Sequence, residues 1–397
     1  MTRLDYARVQ LELLTRRFEA FEIEDPRDYA ACVEIIDEVR RWELRRMAGR
    51  SALESSGFDE QRARTIMLAV RERRSGEIIG AVRGVFGESV ADDPEAHREY
   101  RFDLLPQELL VHTGIAARMV IRPSYRKSAA SLVLTRKLYE ISLRRYGMQL
   151  FCVSCEPALL GLYQRMGYRP LARVWAKPGG GYRVPTLLAG YDEAGMAEIG
   201  SPLLSVLREV PRPWPREGLE WFERVAPQLP RDCGVRYWNP ELDDPLLTDL
   251  SADMSTRGRR ELLTNAVCVD GRPGDLAFCE GDGVRGVAVV LAGAVEARLD
   301  GRPLAQLGPG EVFGAVTTTL DRVRHASLVV LRPDTRLLFL SRSAFERVRD
   351  ADDRAALWRN VARTLAGRVV SATRATQPSA ALEELGQRVA PPGGGEC

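Results

Sequence analysis

Short apolar segments alternate with glycine turns between Arg272 and Phe345. Turns at intervals of about 8–12 residues are typical of an all-β sandwich or barrel. Asp300-Gly301 is a strong two-residue hairpin signal, because both central positions of such a turn favour residues that tolerate positive φ. We therefore predict a β-roll over this stretch. Flanking helices are predicted at about 256–266, 343–349 and 354–370.

The composition bounds the class of protein. The chain has 397 residues, a length that favours two domains over one. Its 45% hydrophobic and 28% charged residues are ordinary for a globular protein, and a net charge of +2 provides no basic field for nucleic acid. No apolar run reaches the roughly 20 residues of a membrane-spanning helix. We expect no nucleic acid partner and no membrane span.

The cysteines and the first residues suggest a compartment. Residues 1–24 are charged and have helical periodicity, unlike a secretory signal, and the seven cysteines are scattered. We expect reduced thiols in a bacterial cytoplasm. Cys152 and Cys155 form a CxxC in an expected strand, where positions three apart point to opposite faces. No second CxxC supplies further ligands, so a structural role is favoured and no metal is expected.

The first 200 residues mix helices and strands. Apolar residues three and four apart predict helices, and short apolar runs bounded by turns predict strands. The predicted helices are 30–47, Pro123 to Tyr146 and 157–166, the last ending at Gly167; the strands are 65–70, 78–83, 114–121 and 149–155, with one or two more before Gly190. This alternation predicts a mixed α/β sheet domain.

Prolines punctuate residues 201–245, where one short amphipathic helix is predicted at 218–225. We predict a connector that packs on its surroundings instead of a free tether. The fold class is α+β with two domains. Its predicted layout is a mixed sheet domain at 1–200, the connector at 201–245, the β-roll domain at 246–375 and a disordered tail at 376–397.

The segment from Arg118 to Leu132 runs from a strand through a small-residue turn into a long helix. The first N–H groups of a helix have no partner within it, so a helix start can bind an anion. Arg126 and Lys127 add positive charge. These residues alone support a phosphate site and a plain strand-to-helix connection equally.

This segment resembles the acyl-donor-binding motif of the GNAT acyltransferase superfamily, in which an Arg or Gln precedes a small-residue loop. Arg126, Ala129 and Ser131 take the three places of the motif. The helix from Ala158 to Tyr168 resembles the second signature of the superfamily, which ends in LYxxxG and an aromatic residue. The resemblance covers about residues 30–190 and implies a GNAT-like mixed sheet.

Phe58-Asp59-Glu60 and the hairpin at 65–84 resemble acyl-homoserine-lactone synthases and N-acyl amino acid synthases. These GNAT relatives take fatty acyl groups from acyl carrier protein or acyl-CoA. The resemblance therefore implies such a donor and a small-molecule amine acceptor. An acidic carrier protein would need a basic patch, although the same residues could be an ordinary solvated helix face. The candidates are Arg122, Arg126, Lys127, Arg144 and Arg145.

The resemblance also implies the donor-binding residues, with a backbone N–H near the end of the strand holding the oxyanion. They are Met119, Val120, Ile121, Arg126, Lys127, Ser128, Ala129, Ala130 and Ser131. Two positions depart from the pattern. Ala129 replaces the first motif glycine, and Ile115 stands where the lactone synthases often carry a Glu.

Tyr163 matches the position from which many GNAT enzymes protonate the leaving thiolate. A core tyrosine with a satisfied hydroxyl is the alternative, and the motif favours the catalytic role. Candidate bases are Asp59, Glu156 and His112, each of which could instead be a solvated or capping group. Asp59 resembles the acceptor side of the synthases.

The β-roll resembles the cyclic nucleotide-binding domain of catabolite-activator proteins and of regulated kinases and channels. Gly281, Gly293 and Gly310 fall at its turns, and the phosphate-binding cassette follows without a gap. The cassette residues singled out are Phe313, Gly314, Ala315, Val316, Arg324 and His325.

Two cassette positions decide what the roll could bind. Arg324 takes the place of the arginine that pairs with the cyclic phosphate. Ala315 replaces the Glu that holds the ribose 2′-hydroxyl, and leaving that hydroxyl unpaired costs about 1–3 kcal/mol. The Thr317–Thr319 run could offer substitute hydroxyls. Nucleotide binding and a degenerate docking or homodimer module are equally supported.

Three functions stay open at this point. The favoured one is an N-acyltransferase of the N-acyl amino acid synthase kind whose β-roll senses a ligand, such as a cyclic nucleotide, and signals through the connector. The others are a cyclic-nucleotide-regulated protein-lysine acetyltransferase and a non-catalytic scaffold. Because about 25 residues follow the last helix, no helix-turn-helix is expected, which argues against a transcription factor.

Overall fold

The computed structural model describes residues 16–44, 64–126, 128–177, 180–225, 227–228, 235–237, 248–281, 286–320 and 324–376. None of the helices in these ranges combines the length and the apolar character that crossing a bilayer requires.

The strands form one sheet in the N-terminal part of the chain and two sheets in the β-roll. In chain order they are β1 (Phe18–Glu22), β2 (Thr65–Glu72), β3 (Ile78–Phe86), β4 (Thr113–Ile121), β5 (Leu150–Cys155), β6 (Arg169–Pro170), β7 (Trp175–Lys177), β8 (Gly181–Ala189), β9 (Val235–Tyr237), β10 (Val267–Asp270), β11 (Leu276–Phe278), β12 (Gly286–Ala292), β13 (Val295–Leu299), β14 (Arg302–Leu307), β15 (Val312–Phe313), β16 (Ser327–Val330) and β17 (Arg336–Ser341).

Helices cover and connect the sheets. They are α1 (Pro26–Leu44), α2 (Glu88–Ala91), α3 (Pro94–Tyr100), α4 (Gln107–Leu110), α5 (Ala130–Arg144), α6 (Leu160–Gln164), α7 (Glu193–Glu198), α8 (Leu204–Arg208), α9 (Glu217–Val225), α10 (Thr248–Ser251), α11 (Thr256–Leu263), α12 (Ala315–Leu320), α13 (Arg342–Arg347) and α14 (Ala351–Thr376). Single 3-10 turns lie at Phe102–Leu104, Pro123–Tyr125 and Pro157–Leu159.

The N-terminal sheet has the order β1-β2-β3-β4-β5-β8-β6, with β7 also paired to β8. Strand β2 is buried on both faces, and its successive side chains point to opposite sides of the sheet. Leu68 and Val70 join the core under α5, whereas Met67 and Ala69 join Cys32 and the other α1 residues on the opposite side. The mixed α/β sheet domain predicted from the sequence is therefore present.

The β-roll consists of a five-stranded sheet, β15-β12-β17-β10-β9, and a four-stranded sheet, β11-β16-β13-β14. Alternation again sorts the core. Val289 and Leu338 face helices α13 and α14, whereas Val290 and Phe339 face the interior of the roll. Asp300 and Gly301 have φ of 49° and 76°, which confirms the predicted two-residue hairpin turn between β13 and β14.

Several predicted elements differ from the structure. Residues 18–22, which have helical periodicity in the sequence, form edge strand β1, because non-local pairing with β2 outweighs local preference. The long helix begins at Ala130 instead of directly after Pro123, since a 3-10 turn and the extended Arg126 come first. The helix predicted at 157–166 divides into a 3-10 turn and α6. Helices α2, α3 and α4 were not predicted.

The two cysteines of the CxxC are structural. Cys152 and Cys155 are both buried and belong to one extended apolar cluster. Burial raises the pKa of both thiols, so neither is a reactive thiolate at neutral pH. No group of three or more His, Cys, Asp or Glu side chains able to hold a metal occurs in the described part of the chain.

Candidate functional sites

Strands β4 and β5 pair in parallel over three positions and then separate. The pairs are Thr113–Leu150, Gly114–Phe151 and Ile115–Cys152, after which β4 continues to Ile121 without β5 beside it. A register irregularity opposite Ala81 and Arg83 on β3 inserts an extra residue into β4 just beyond this point. A gap therefore opens between the two strands at their carboxyl ends.

A narrow cavity lies in this gap. It is lined by Met119 of β4, Val153 of β5 and the rings of Tyr163 and Tyr168, with helix α5 behind them. Its volume is about 30 Å³, which leaves room for only a small group. Tyr163 and Met119, which were predicted as site residues from separate motifs, are thus brought together.

Tyr163 lies on α6 and packs edge-on against Tyr168, with ring centroids 5.6 Å apart. Burial raises the pKa of its phenol, and the nearby Cys155 and Glu156 raise it further. The phenol is therefore protonated at neutral pH and can act as a proton donor. Glu156 follows β5 directly and pairs with Arg183 on β8 at 3.5 Å.

The other predicted bases do not join this gap in the described structure. His112 immediately precedes β4 and is exposed, and its carbonyl accepts from the N–H groups of Gln149 and Leu150. It therefore lies at the closed end of the strand pair and away from the gap, a position that the sequence did not reveal because it depends on where β4 and β5 separate. Asp59 lies outside the described residues.

The predicted donor loop precedes α5. Arg126 Nε donates to the Ile121 carbonyl at 3.2 Å, and Ser128 Oγ donates to the Tyr125 carbonyl at 2.6 Å. These bonds tie the loop to the end of β4. The N–H groups in the first turn of α5 have no partner within that helix, which suits an anion.

The remaining donor-loop candidates are divided between the two faces of the sheet. Met119, Ile121 and Ala129 pack toward the α5 core, and Ala130 is fully buried there. Val120 instead packs on the α1 side. The Ser131 carbonyl accepts from Thr135 Oγ1 at 2.8 Å. Lys127 lies outside the described residues.

The predicted basic patch is largely occupied by internal ion pairs. Arg122 pairs with Glu38 at 3.1 Å and also with Glu77. Arg145 pairs with Glu22 at 2.7 Å. These contacts reduce the positive charge available to an acidic partner, which the sequence could not reveal because the acids come from distant segments.

Glu99 on α3 is a site candidate that sequence reasoning missed. It lies beside the Ser154 hydroxyl of β5, and the ion pairs Lys177–Glu95 and Arg183–Glu156 flank it. Burial raises the pKa of Glu99 and outweighs the opposing effects of Ser154 and Lys177. Buried Tyr100, its neighbour in the chain, is within electrostatic reach of both Glu99 and Tyr163. No motif marks Glu99, because its position depends on how α3 packs.

In the β-roll, Arg324 is the largest fully buried side chain, 1% exposed. Its Nη2 donates to the Gly286 carbonyl at 2.7 Å, and its guanidinium lies 3.6 Å from the centre of the Phe278 ring. Gly314 has a φ of 94°, and a Cβ there would collide with Arg324 Nη1. Glycine is therefore required at the position where the cassette approaches the arginine.

The rest of the cassette surrounds this arginine. Phe313 stacks on Phe278 at 5.7 Å, and Ala315 is buried at the start of α12 with Val316 behind it. Thr317 and Thr318 are buried as well. His325, next to Arg324, is partly exposed.

Residues 270–352 match the family model of the cyclic nucleotide-binding domain. This match lies within the β-roll and does not extend to the N-terminal mixed sheet. No curated protein matches the chain.

Several solved structures resemble parts of this two-domain chain. FeeM, an N-acyl amino acid synthase from uncultured soil microbes, is 15% identical over 48% of this chain and 97% of its own, with a TM-score of 0.36. Escherichia coli ElaA is 13% identical over 43% of this chain and 99% of its own, with a TM-score of 0.31. The N-terminal domain of a transcriptional regulator from Streptomyces coelicolor A3(2) is 33% identical over 32% of this chain and 94% of its own, with a TM-score of 0.27.

Proposed function

We propose that this chain is an N-acyltransferase that moves an acyl group from acyl-CoA or acyl carrier protein to an amine such as an amino acid. The observation that carries the proposal is the gap between β4 and β5, lined by Met119 and the protonated Tyr163. A thioester placed there would lie beside backbone N–H groups that β5 no longer pairs. Such donors stabilise an oxyanion.

The chemistry follows from these positions. The neutral amine attacks the thioester carbonyl, and a backbone N–H near Met119 to Ile121 holds the oxyanion. When the intermediate collapses, the C–N bond has formed and the C–S bond breaks. Tyr163 donates its proton to the departing thiolate.

Glu99 is the proposed general base that deprotonates the amine. A carboxylate with a raised pKa is a stronger base than an ordinary one. Glu156 is already engaged with Arg183, so we assign it a positioning role.

Transfer is tested with purified full-length protein. Acetyl-, octanoyl- and palmitoyl-CoA, and palmitoyl-acyl carrier protein, are each incubated with mixed amino acids, and N-acyl products are measured by mass spectrometry. We expect Tyr163→Phe to lower kcat by about 100-fold or more. Tyr168→Phe is the matched control, because Tyr168 lines the same cavity and should retain transfer. Absence of product with every donor would favour the scaffold function.

One observation favours a second candidate function. A cavity of about 30 Å³ is small for a fatty acyl chain and better suited to an acetyl group. The alternative is a protein-lysine acetyltransferase under the control of the roll. Transfer from acetyl-CoA to lysine peptides, without transfer from octanoyl- or palmitoyl-CoA, would select it.

The effector proposed for the roll is a small phosphate-bearing ligand such as a cyclic nucleotide. A buried guanidinium beside a glycine cradle suits a phosphate. Native mass spectrometry of the purified protein, with and without added cyclic AMP or cyclic GMP, measures this binding directly.

A further inference from the structure

The β-roll lies directly against the segment that carries the proposed catalytic tyrosine. Strands β17 and β10 contact the 3-10 turn Pro157–Leu159, and β11 contacts β8. That turn follows Glu156 and leads into α6, which bears Tyr163. At Gly161 of α6, an added Cβ would come within 3.0 Å of Asn265, the residue two before β10.

Hydrogen bonds also cross the same interface. Tyr182 of β8 is buried and donates its hydroxyl to Asp275 of the roll at 2.8 Å. The same carboxylate oxygen accepts from the Arg272 N–H at 2.9 Å. Arg173 donates to the Asp270 carbonyl at 3.2 Å. The carboxylate and the carbonyl thus fix the orientation in which the roll meets β8.

Aromatic rings connect this interface to the ligand arginine. Arg324 lies over the Phe278 ring, Phe278 contacts Phe339 at 5.3 Å between centroids, and Phe339 contacts Tyr182 at 6.2 Å. All four side chains are buried, and the three aromatic ones belong to one apolar core that includes residues of both domains. A close-packed interior has little free volume, so displacement of one ring displaces its neighbours.

We propose that ligand occupancy at Arg324 controls the acyltransfer site by two routes. One is the aromatic path, which consists of Phe278, Phe339 and Tyr182, and the other is the contact between the 3-10 turn Pro157–Leu159 and the roll. This proposal rests on the proposed function and specifies its regulation. An anion bound by Arg324 competes with the Gly286 carbonyl and the Phe278 ring for the guanidinium. The ligand therefore stabilises one packing of Phe278 over another, which is the differential binding that a conformational effect requires.

Hydrogen exchange of the full-length chain tests this path without any ligand. In Arg324→Gln and in Phe278→Leu, we expect amide exchange in the peptide covering residues 157–168 to change by about fivefold or more. Phe345→Leu is the matched control, because Phe345 is an equally buried aromatic residue on the far, helix-covered side of the roll. Its exchange effect should be confined to the roll.

Tyr182→Phe provides a variant whose fold is kept, since it removes only the hydroxyl bonded to Asp275. Combined with Phe278→Leu, it should change exchange at 157–168 by less than the product of the single effects, because both act on one path. Unchanged exchange at 157–168 in Arg324→Gln and Phe278→Leu would overturn the proposal, as would an equal change in Phe345→Leu.

This measurement separates the two proposals. Exchange needs no acyl donor, so a coupled chain that transfers nothing contradicts only the proposed catalysis. A chain that transfers acyl groups but shows no coupling contradicts only the aromatic path.

Discussion

Individual residues set the chemistry of both domains. In the roll, position 314 requires glycine, because its φ is positive and a Cβ there would collide with the Arg324 guanidinium. The neighbouring Ala315 has no polar group with which to recognise a ribose. If the proposed phosphate ligand binds at Arg324, the absence of a polar side chain at position 315 predicts its selectivity.

We expect the native chain to bind cyclic AMP and 2′-deoxy cyclic AMP with equal affinity. Ala315→Glu should bind cyclic AMP more tightly by about 1–3 kcal/mol, because the new carboxylate can accept from the 2′-hydroxyl. Its affinity for the deoxy analogue should not increase. Isothermal titration calorimetry measures both, and equal gains for the two ligands would contradict the prediction.

The proposed role of Glu99 as a general base predicts how kcat/KM depends on pH. Because burial raises its pKa above the usual carboxylate value, kcat/KM should rise with pH through a midpoint above that value. Glu99→Gln should lose this acidic limb and about 100-fold or more in rate. Glu95→Gln, on the same helix and paired with Lys177, is the control and should keep the limb. A limb that survives in Glu99→Gln would assign the base elsewhere.

At the scale of elements, local sequence signals predicted much of the architecture. The hairpin at Asp300-Gly301, the helix ending near Gly167 and the turn glycines of the roll all rely on backbone conformations that few residue types adopt. Elements that depend on distant partners were missed. Edge strand β1 is five residues long and is defined by its pairing with β2, and α3 is defined by its packing.

The candidate sites follow the same division. Tyr163 and Met119 were found through motifs in contiguous segments, whereas Glu99 approaches Ser154 only after folding. The position of His112 could not be predicted for the same reason. Its distance from the gap depends on where two strands stop pairing, which no local pattern records.

The contact between Asp353, at the start of α14, and Ser255 predicts an effect on stability. Asp353 accepts from both the N–H and the hydroxyl of Ser255 at 2.6 Å, which links α14 to the N-cap of α11. Asp353→Ala should lower the free energy of unfolding by about 2–3 kcal/mol, because both bonds are to a charged acceptor. Asp352→Ala, exposed in the same turn, should change it little. Urea denaturation measures both.

The bonds from Ser255 lower the pKa of Asp353. The stabilisation is therefore complete above the unfolded value of about 3.9 and is lost as pH falls toward the lower folded-state pKa. The difference between native chain and Asp353→Ala should shrink in acid. A difference that grows with falling pH would contradict this sign.

At the scale of the whole molecule, the two domains share one apolar core. Leu187 of the N-terminal sheet and Val269 and Phe339 of the roll belong to a single buried cluster. Neither domain buries its apolar surface fully without the other, so unfolding of one should expose part of the other.

We therefore expect one calorimetric unfolding transition for the full chain, with equal calorimetric and van't Hoff enthalpies. Phe339→Ala should lower the Tm of this single transition, since truncating a buried Phe costs about 3–5 kcal/mol. Two resolved transitions, with only the roll affected by the substitution, would show that the domains unfold independently.

The seat of the roll on β8 also matters while the chain is being synthesised. The surface around Tyr182 leaves the ribosome before its partner strand β17, which ends 159 residues later at Ser341. At about 5–20 residues per second, that apolar surface waits uncovered for roughly 10–30 s. A nascent chain paused in this interval presents the surface that chaperones recognise, so the rate of translation across the roll sets how long the unfinished protein is open to aggregation.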